Sequence, residues 1–104
     1  MFLVTTVLYP PDKSIVAAEK FIEVTAKELP PFLKRLQVLG DSRMDKGMKV
    51  LSVYEVEDTK IKDGIIELTK MYVQFNGIEG FRYEIEPMLT VKEALGVLGM
   101  KTTL

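Results

Sequence analysis

The sequence predicts an α+β domain with one four-stranded antiparallel sheet, two long helices on one face of it and a short C-terminal helix. Three observations carry this expectation. The hydrophobic period runs alternating, helical, alternating, alternating, helical, alternating, and turn residues stand at each change. The whole order is complete within residues 2–89, too short for more than one core. The final alternating run has one apolar and one charged face, as a half-covered antiparallel strand requires. The 104 residues are therefore read as a single domain, 1–104.

Each element has a local cause. Residues 2–9 are rich in Val, Leu, Thr and aromatic side chains and stop at Pro10, which cannot donate a ladder hydrogen bond, so they read as a buried strand. Asp12 or Ser14 is placed to cap a helix whose apolar positions Ile15, Ala18, Phe21, Ile22, Thr25, Ala26 and Leu29 share one face. That helix is expected to end near Leu29, because a residue before proline is pushed out of the α region.

Residues 31–39 fit two readings. A helix can restart with Pro31 in its first turn, or the segment can form an extended edge strand with Lys34, Arg35 and Gln37 turned to water or a partner. The strand is preferred. Residues 40–47, polar and bounded by Gly40 and Gly47, read as a hairpin loop. Residues 48–57 then alternate cleanly, with Met48, Val50, Ser52, Tyr54 and Val56 on one face and Lys49, Leu51, Val53, Glu55 and Glu57 on the other.

Asp58 or Thr59 opens the second helix, with Ile61, Ile65, Leu68 and Tyr72 on its inner face and Asn76-Gly77 as its stop. Phe81, Tyr83 and Ile85 alternate with Arg82, Glu84 and Glu86 up to Pro87. Thr90 and Glu93 have the spacing of a capping box, which opens a short helix through Ala94, Leu95 and Leu98 to Gly99.

Composition removes many chemistries. The net charge is −1 and the basic residues are dispersed, so no field attracts a phosphate backbone and no nucleic-acid partner is expected. The chain has no Cys and no His, which excludes disulfides, thiol nucleophiles, Ser-His-Asp triads and the usual zinc, copper and haem ligands. No glycine-rich phosphate loop occurs, and Asp41 and Asp45 are too few and wrongly spaced for a calcium loop. No metal and no organic cofactor are expected. The apolar start lacks the basic and cleavable parts of a signal peptide, and no run is long enough to span a bilayer, so a cytoplasmic location away from membranes is expected.

The order of elements specifies a ferredoxin-like βαββαβ arrangement with strand order 4-1-3-2. Its helix-facing side should hold Val50, Tyr54, Phe81, Tyr83 and Ile85 against Phe21, Ile22, Ile65 and Leu68. The other side has no long helix left to cover it. It should carry Arg82, Glu84 and Glu86, then Lys49, Leu51, Val53 and Glu55, with Arg35 and Gln37 at the edge. An apolar centre inside a charged rim suits an isologous interface, so a homodimer is expected.

The element order over residues 2–89, with the runs Met1-Phe2-Leu3-Val4-Thr5-Thr6, Ser52-Val53-Tyr54-Glu55-Val56 and Ile78-Glu79-Gly80-Phe81-Arg82-Tyr83-Glu84-Ile85, resembles the dimeric α+β barrel superfamily. That resemblance implies sheet-to-sheet dimers, with a ligand, where there is one, between sheet and helices or inside the barrel. Several of its oxygenases and haem-degrading members use Trp and His, and this chain has neither.

The candidate chemistry is that of carboxylates. Glu84 and Glu86 share a strand face, and Glu55 should stand about 10 Å from Glu84 across the first strand, over Thr5 or a neighbour. In a dry site one of these three could serve as a catalytic acid or base; cross-strand pairing with Arg82, Arg35 or Lys49 is the plainer role. Arg35, Arg82, Tyr54 and Tyr83 are the candidates for binding a small hydrophobic ligand with a polar group. Met44, Met48, Met71 and Met88 would supply adaptable apolar lining. Three functions follow from this reading: a homodimeric ligand-binding or accessory domain, a cofactor-independent isomerase, cyclase or oxygenase, and a structural subunit.

Overall fold

The central element of the computed structural model, which describes residues 1–43 and 47–104, is the first strand, β1 (Phe2–Tyr9). It pairs antiparallel on both sides, with β3 (Gly47–Val56) and with β4 (Arg82–Met88). The edge strand β2 (Leu33–Arg43) pairs antiparallel with β3. The sheet order is β2-β3-β1-β4, which reads 4-1-3-2 from the β4 edge. Both neighbours of β1 run opposite to it, so the connection from β3 to β4 must cross over β1. The helix α2 (Ile61–Tyr72) makes that crossing, and α1 (Ser14–Thr25) likewise carries β1 over to β2.

One core lies between the sheet and these two helices. Leu3, Val7 and Tyr9 of β1 and Val50, Tyr54 and Val56 of β3 pack with Ala17 and Val24 of α1 and Leu68, Met71 and Tyr72 of α2. Behind α2, Phe75 stacks on Phe81 with ring centroids 4.2 Å apart, and Tyr72 stacks on Tyr83 at 5.2 Å. Such ring pairs add to the burial of the aromatic area itself. Among the described residues no helix is long and apolar enough to cross a membrane.

Several local expectations are corrected. The inner face of α1 is Ala17, Phe21 and Val24, whereas Ile15 and Ile22 are 76% and 69% exposed. Apolar residues surround this helix on more than one side, so spacing alone does not choose the face, and burial falls on Ala17 and Val24. Neither Asp12 nor Ser14 caps it. A 3₁₀ turn (Pro11–Lys13) leads in, and the Ser14 hydroxyl donates to the Pro10 carbonyl at 2.9 Å. The helix ends at Thr25, one turn before the expected Leu29, with Ala26 N–H donating to the Ile22 carbonyl at its C-terminus.

A second 3₁₀ turn (Asp58–Lys60) precedes α2, again with no capping side chain, and the Asp58 carboxylate accepts from the Met1 ammonium at 2.9 Å. The α2 inner face is the expected one, and a 3₁₀ turn (Val73–Phe75) carries the chain on to Asn76. Residues 31–39 contribute to a strand, and that strand runs on through Asp41 to Arg43, where the hairpin loop was expected. Met44 and Asp45 of that loop lie outside the described residues. The strand β4 continues past Pro87 to Met88, which its edge position allows. The capping box of α3 (Val91–Val97) is present: Glu93 N–H donates to Thr90 Oγ1 at 3.1 Å, and Thr90 N–H donates to Glu93 Oε1 at 3.2 Å.

The most consequential correction is in β2. Arg35 pairs with Tyr54 and Gln37 with Val53, so Leu36 is an extra, bulged residue and the facing of the strand inverts there. Arg35 therefore points to the helix side with Tyr54, and only Gln37 joins the open side. Strict alternation had placed both together.

Gly47 starts β3 with φ at +92°, and a Cβ there would lie 1.8 Å from the Tyr9 carbonyl oxygen. Replacing Gly47 by Ala should therefore destabilise the protein by about 2 kcal/mol or more, from left-handed strain and backbone overlap together. Urea denaturation reads this directly, and an unchanged midpoint would contradict the close approach of β1 to this turn.

Candidate functional site

The two faces of the sheet present different chemistry. On the open face, β1 contributes Phe2, Val4, Thr6 and Leu8, flanked by Glu55, Val53, Leu51 and Lys49 on β3 and by Met88, Glu86, Glu84 and Arg82 on β4. Gln37, Leu39 and Asp41 extend this face onto β2. Val4, Leu51 and Val53 at its centre are half-buried, while Glu55, Arg82, Glu84 and Glu86 are exposed. An open depression of about 620 Å³ lies towards one end, lined by Thr6, Leu8, Lys49, Phe81, Arg82, Tyr83 and Glu84. Among the described residues, the ion pairs are elsewhere, and none involves Lys49, Glu55, Arg82, Glu84 or Glu86. The charged rim faces water.

The register separates the candidate carboxylates. Glu55 lies opposite Phe2 and, through it, Met88; Glu84 lies opposite Thr6 and, through it, Leu51. The offset is four residues along the strand and two strands across, about 16 Å between backbone positions. Thr6, the neighbour of Thr5, is the β1 partner of Glu84, and Thr5 itself points into the core. Glu84 and Glu86 do share a face, and Glu84 alone of the three lines the depression.

On the helix side the structure joins two of the four ligand-binding candidates. Arg35 Nε donates to the Tyr54 hydroxyl at 3.3 Å, and the guanidinium carbon lies 5.4 Å from the Tyr54 ring centroid. The other two, Arg82 and Tyr83, both line the depression, Arg82 from the open face and Tyr83 with its ring packed on Tyr72 on the core side. Three further polar residues complete this side: Tyr72, one of the four tyrosines whose hydroxyls the sequence offers to a pocket, and Thr5 and Ser52, which sequence reasoning did not single out. Thr5 Oγ1 and Tyr72 OH share a hydrogen bond of 2.8 Å, fully buried, and Ser52 sits on β3 between Val50 and Tyr54, directly opposite Thr5. Their signal was legible: each is a hydroxyl at an inward position of a strand or helix face that is otherwise apolar.

Burial, reinforced by the neighbouring Tyr54 hydroxyl, pushes the Tyr72 phenol well above its ordinary pKa. Burial does the same to Tyr9. Both remain neutral at physiological pH and can act as hydrogen-bond donors. Among the described residues, no group of acidic side chains is arranged to hold a metal ion.

Compared with known proteins, the chain matches no family model and no curated protein. The geometry of the two faces is thus what bears on function.

The Thr5–Tyr72 bond ties α2 to the central strand. Tyr72→Phe should cost about 1–3 kcal/mol, because it leaves the Thr5 hydroxyl buried without a partner. Adding Thr5→Val to that variant should recover much of the loss. A thermal-denaturation cycle that found the two changes additive would show that the hydroxyls do not depend on each other.

Proposed function

We propose that this protein is a cytoplasmic, homodimeric binding domain of the ferredoxin-like, dimeric α+β barrel kind, in which two copies pack their open sheet faces and enclose a small hydrophobic ligand. The observation that carries the reading is the open face itself. Its centre is apolar and half-exposed, and its rim holds Lys49, Glu55, Arg82, Glu84 and Glu86, charges of both signs that form no ion pair with one another. A two-fold axis brings a surface against its own copy, so a rim holding Lys49 and Arg82 as well as Glu55, Glu84 and Glu86 can complement itself.

Pairing would also change the depression. A second sheet laid over Thr6, Leu8, Lys49, Arg82 and Glu84 would turn an open surface into a closed site, with Leu8 and Phe81 as apolar lining and Lys49, Arg82 and Glu84 as polar handles. Binding is preferred to carboxylate acid–base catalysis because Glu55 and Glu84 do not oppose each other in the register.

The test is the oligomeric state. Sedimentation at micromolar concentration should give a dimer, and Val53→Glu, which places a charge at the centre of the face, should weaken association by roughly 30-fold or more while the circular dichroism spectrum is unchanged. A wild-type monomer at that concentration, or a Val53→Glu dimer of undiminished strength, would overturn the proposal.

A further inference from the structure

The chain beyond β4 is folded but lies almost wholly in water. Helix α3 is closed at both ends. Its capping box opens it, and Gly99, at a φ of +73°, ends it in a Schellman turn, in which Met100 N–H donates to the Leu95 carbonyl at 2.9 Å and Gly99 N–H to the Gly96 carbonyl at 3.0 Å. Yet none of its residues is buried, and Val97 and Leu98 are 79% and 72% exposed, with Met100 and Leu104 exposed beyond them. A helix of seven residues is marginal in water without a surface to lie on. The molecule as a whole is extended as well. Its radius of gyration is 15.4 Å, against about 13 Å for a compact domain of this length. Its accessible surface of 7123 Å² is about 1,200 Å² more than a folded monomer of 11.8 kDa presents.

We propose, resting on the sheet-to-sheet dimer above, that residues 91–104 are an arm that docks on a second copy of this chain, lying across the edge of the joined sheets. The occupant is a second copy for three reasons. The first is continuity: Met88 on the open face and Leu89 after it are both exposed, so apolar surface runs from the face into the arm. The second is charge. Glu93 is engaged by Thr90, which leaves Lys92 and Lys101 on the arm, whereas acids outnumber bases on the rim of the face, where Glu55, Glu84 and Glu86 stand against Lys49 and Arg82. The third is area: an excess of about 1,200 Å² on each of two chains is the size of an obligate dimer interface. A two-fold axis then makes the contact twice, each arm on the other copy.

Because the chain has no cysteine, a single introduced thiol can report on the arm. Leu98→Cys in the full chain, kept reduced at micromolar concentration, should react with a maleimide about tenfold or more slowly than the same thiol in a Val53→Glu background, where the sheets are apart. Ile15→Cys, on the exposed outer side of α1, should react alike in both backgrounds. Val97→Ser combined with Leu98→Ser changes only exposed side chains, so circular dichroism should be unchanged while sedimentation shows the dimer Kd raised about tenfold or more. Fast labelling at Leu98→Cys, or an undiminished dimer in the double serine variant, would overturn the arm while leaving standing a sheet dimer that Val53→Glu still dissociates. Slow labelling that survives Val53→Glu would show the arm folded on its own chain and would overturn it as well. A wild-type monomer would instead remove the sheet dimer, and the docked arm with it.

Discussion

Everything in this fold depends on β1 being bonded along both edges. Because β3 and β4 both pair with it antiparallel, its alternate residues are committed in two directions at once. Leu3, Thr5, Val7 and Tyr9 go into the core, where they meet both helices, and Phe2, Val4, Thr6 and Leu8 form the floor of the open face. A slip of one residue would exchange the two sets, exposing the core and burying the rim. The register that packs the helices is therefore the register that draws the open face.

The polar groups inside the core are placed by the same constraint. Thr5 and Ser52 oppose each other on adjacent strands, and Tyr72 comes down from α2 to bond Thr5. A purely apolar core would hold the helix as well, so these hydroxyls add directionality more than bulk attraction. Arg35 joins them through one local irregularity. The extra residue at Leu36 leaves Arg35 facing inward with Leu33 and turns Gln37, Leu39 and Asp41 outward. One inserted residue thus decides which face of the sheet receives the guanidinium.

Much of this was legible without coordinates. The element order, the alternation of β3 and β4, the inner face of α2 and the capping box at Thr90 follow from local rules that act over a few residues. The errors have a common origin. The face of α1, the end of α1, the length of the β2–β3 hairpin and the facing of Arg35 depend on what the segment packs against, and local spacing is silent on that. The carboxylate candidates show the difference most clearly: Glu55, Glu84 and Glu86 were placed on the correct face, but their separation required the register.

By itself, then, the sequence determined the alternation of periods, the two-faced character of the strands and the absence of thiol and imidazole chemistry, because these are properties of residue type and spacing. Only the tertiary structure decided the register, the bulge at Leu36 and the gathering of Arg35, Tyr54, Ser52, Thr5 and Tyr72, residues spread from position 5 to 72. The physical reason is that a ladder of hydrogen bonds can form in any register, and the selection is made by burial of distant side chains against one another.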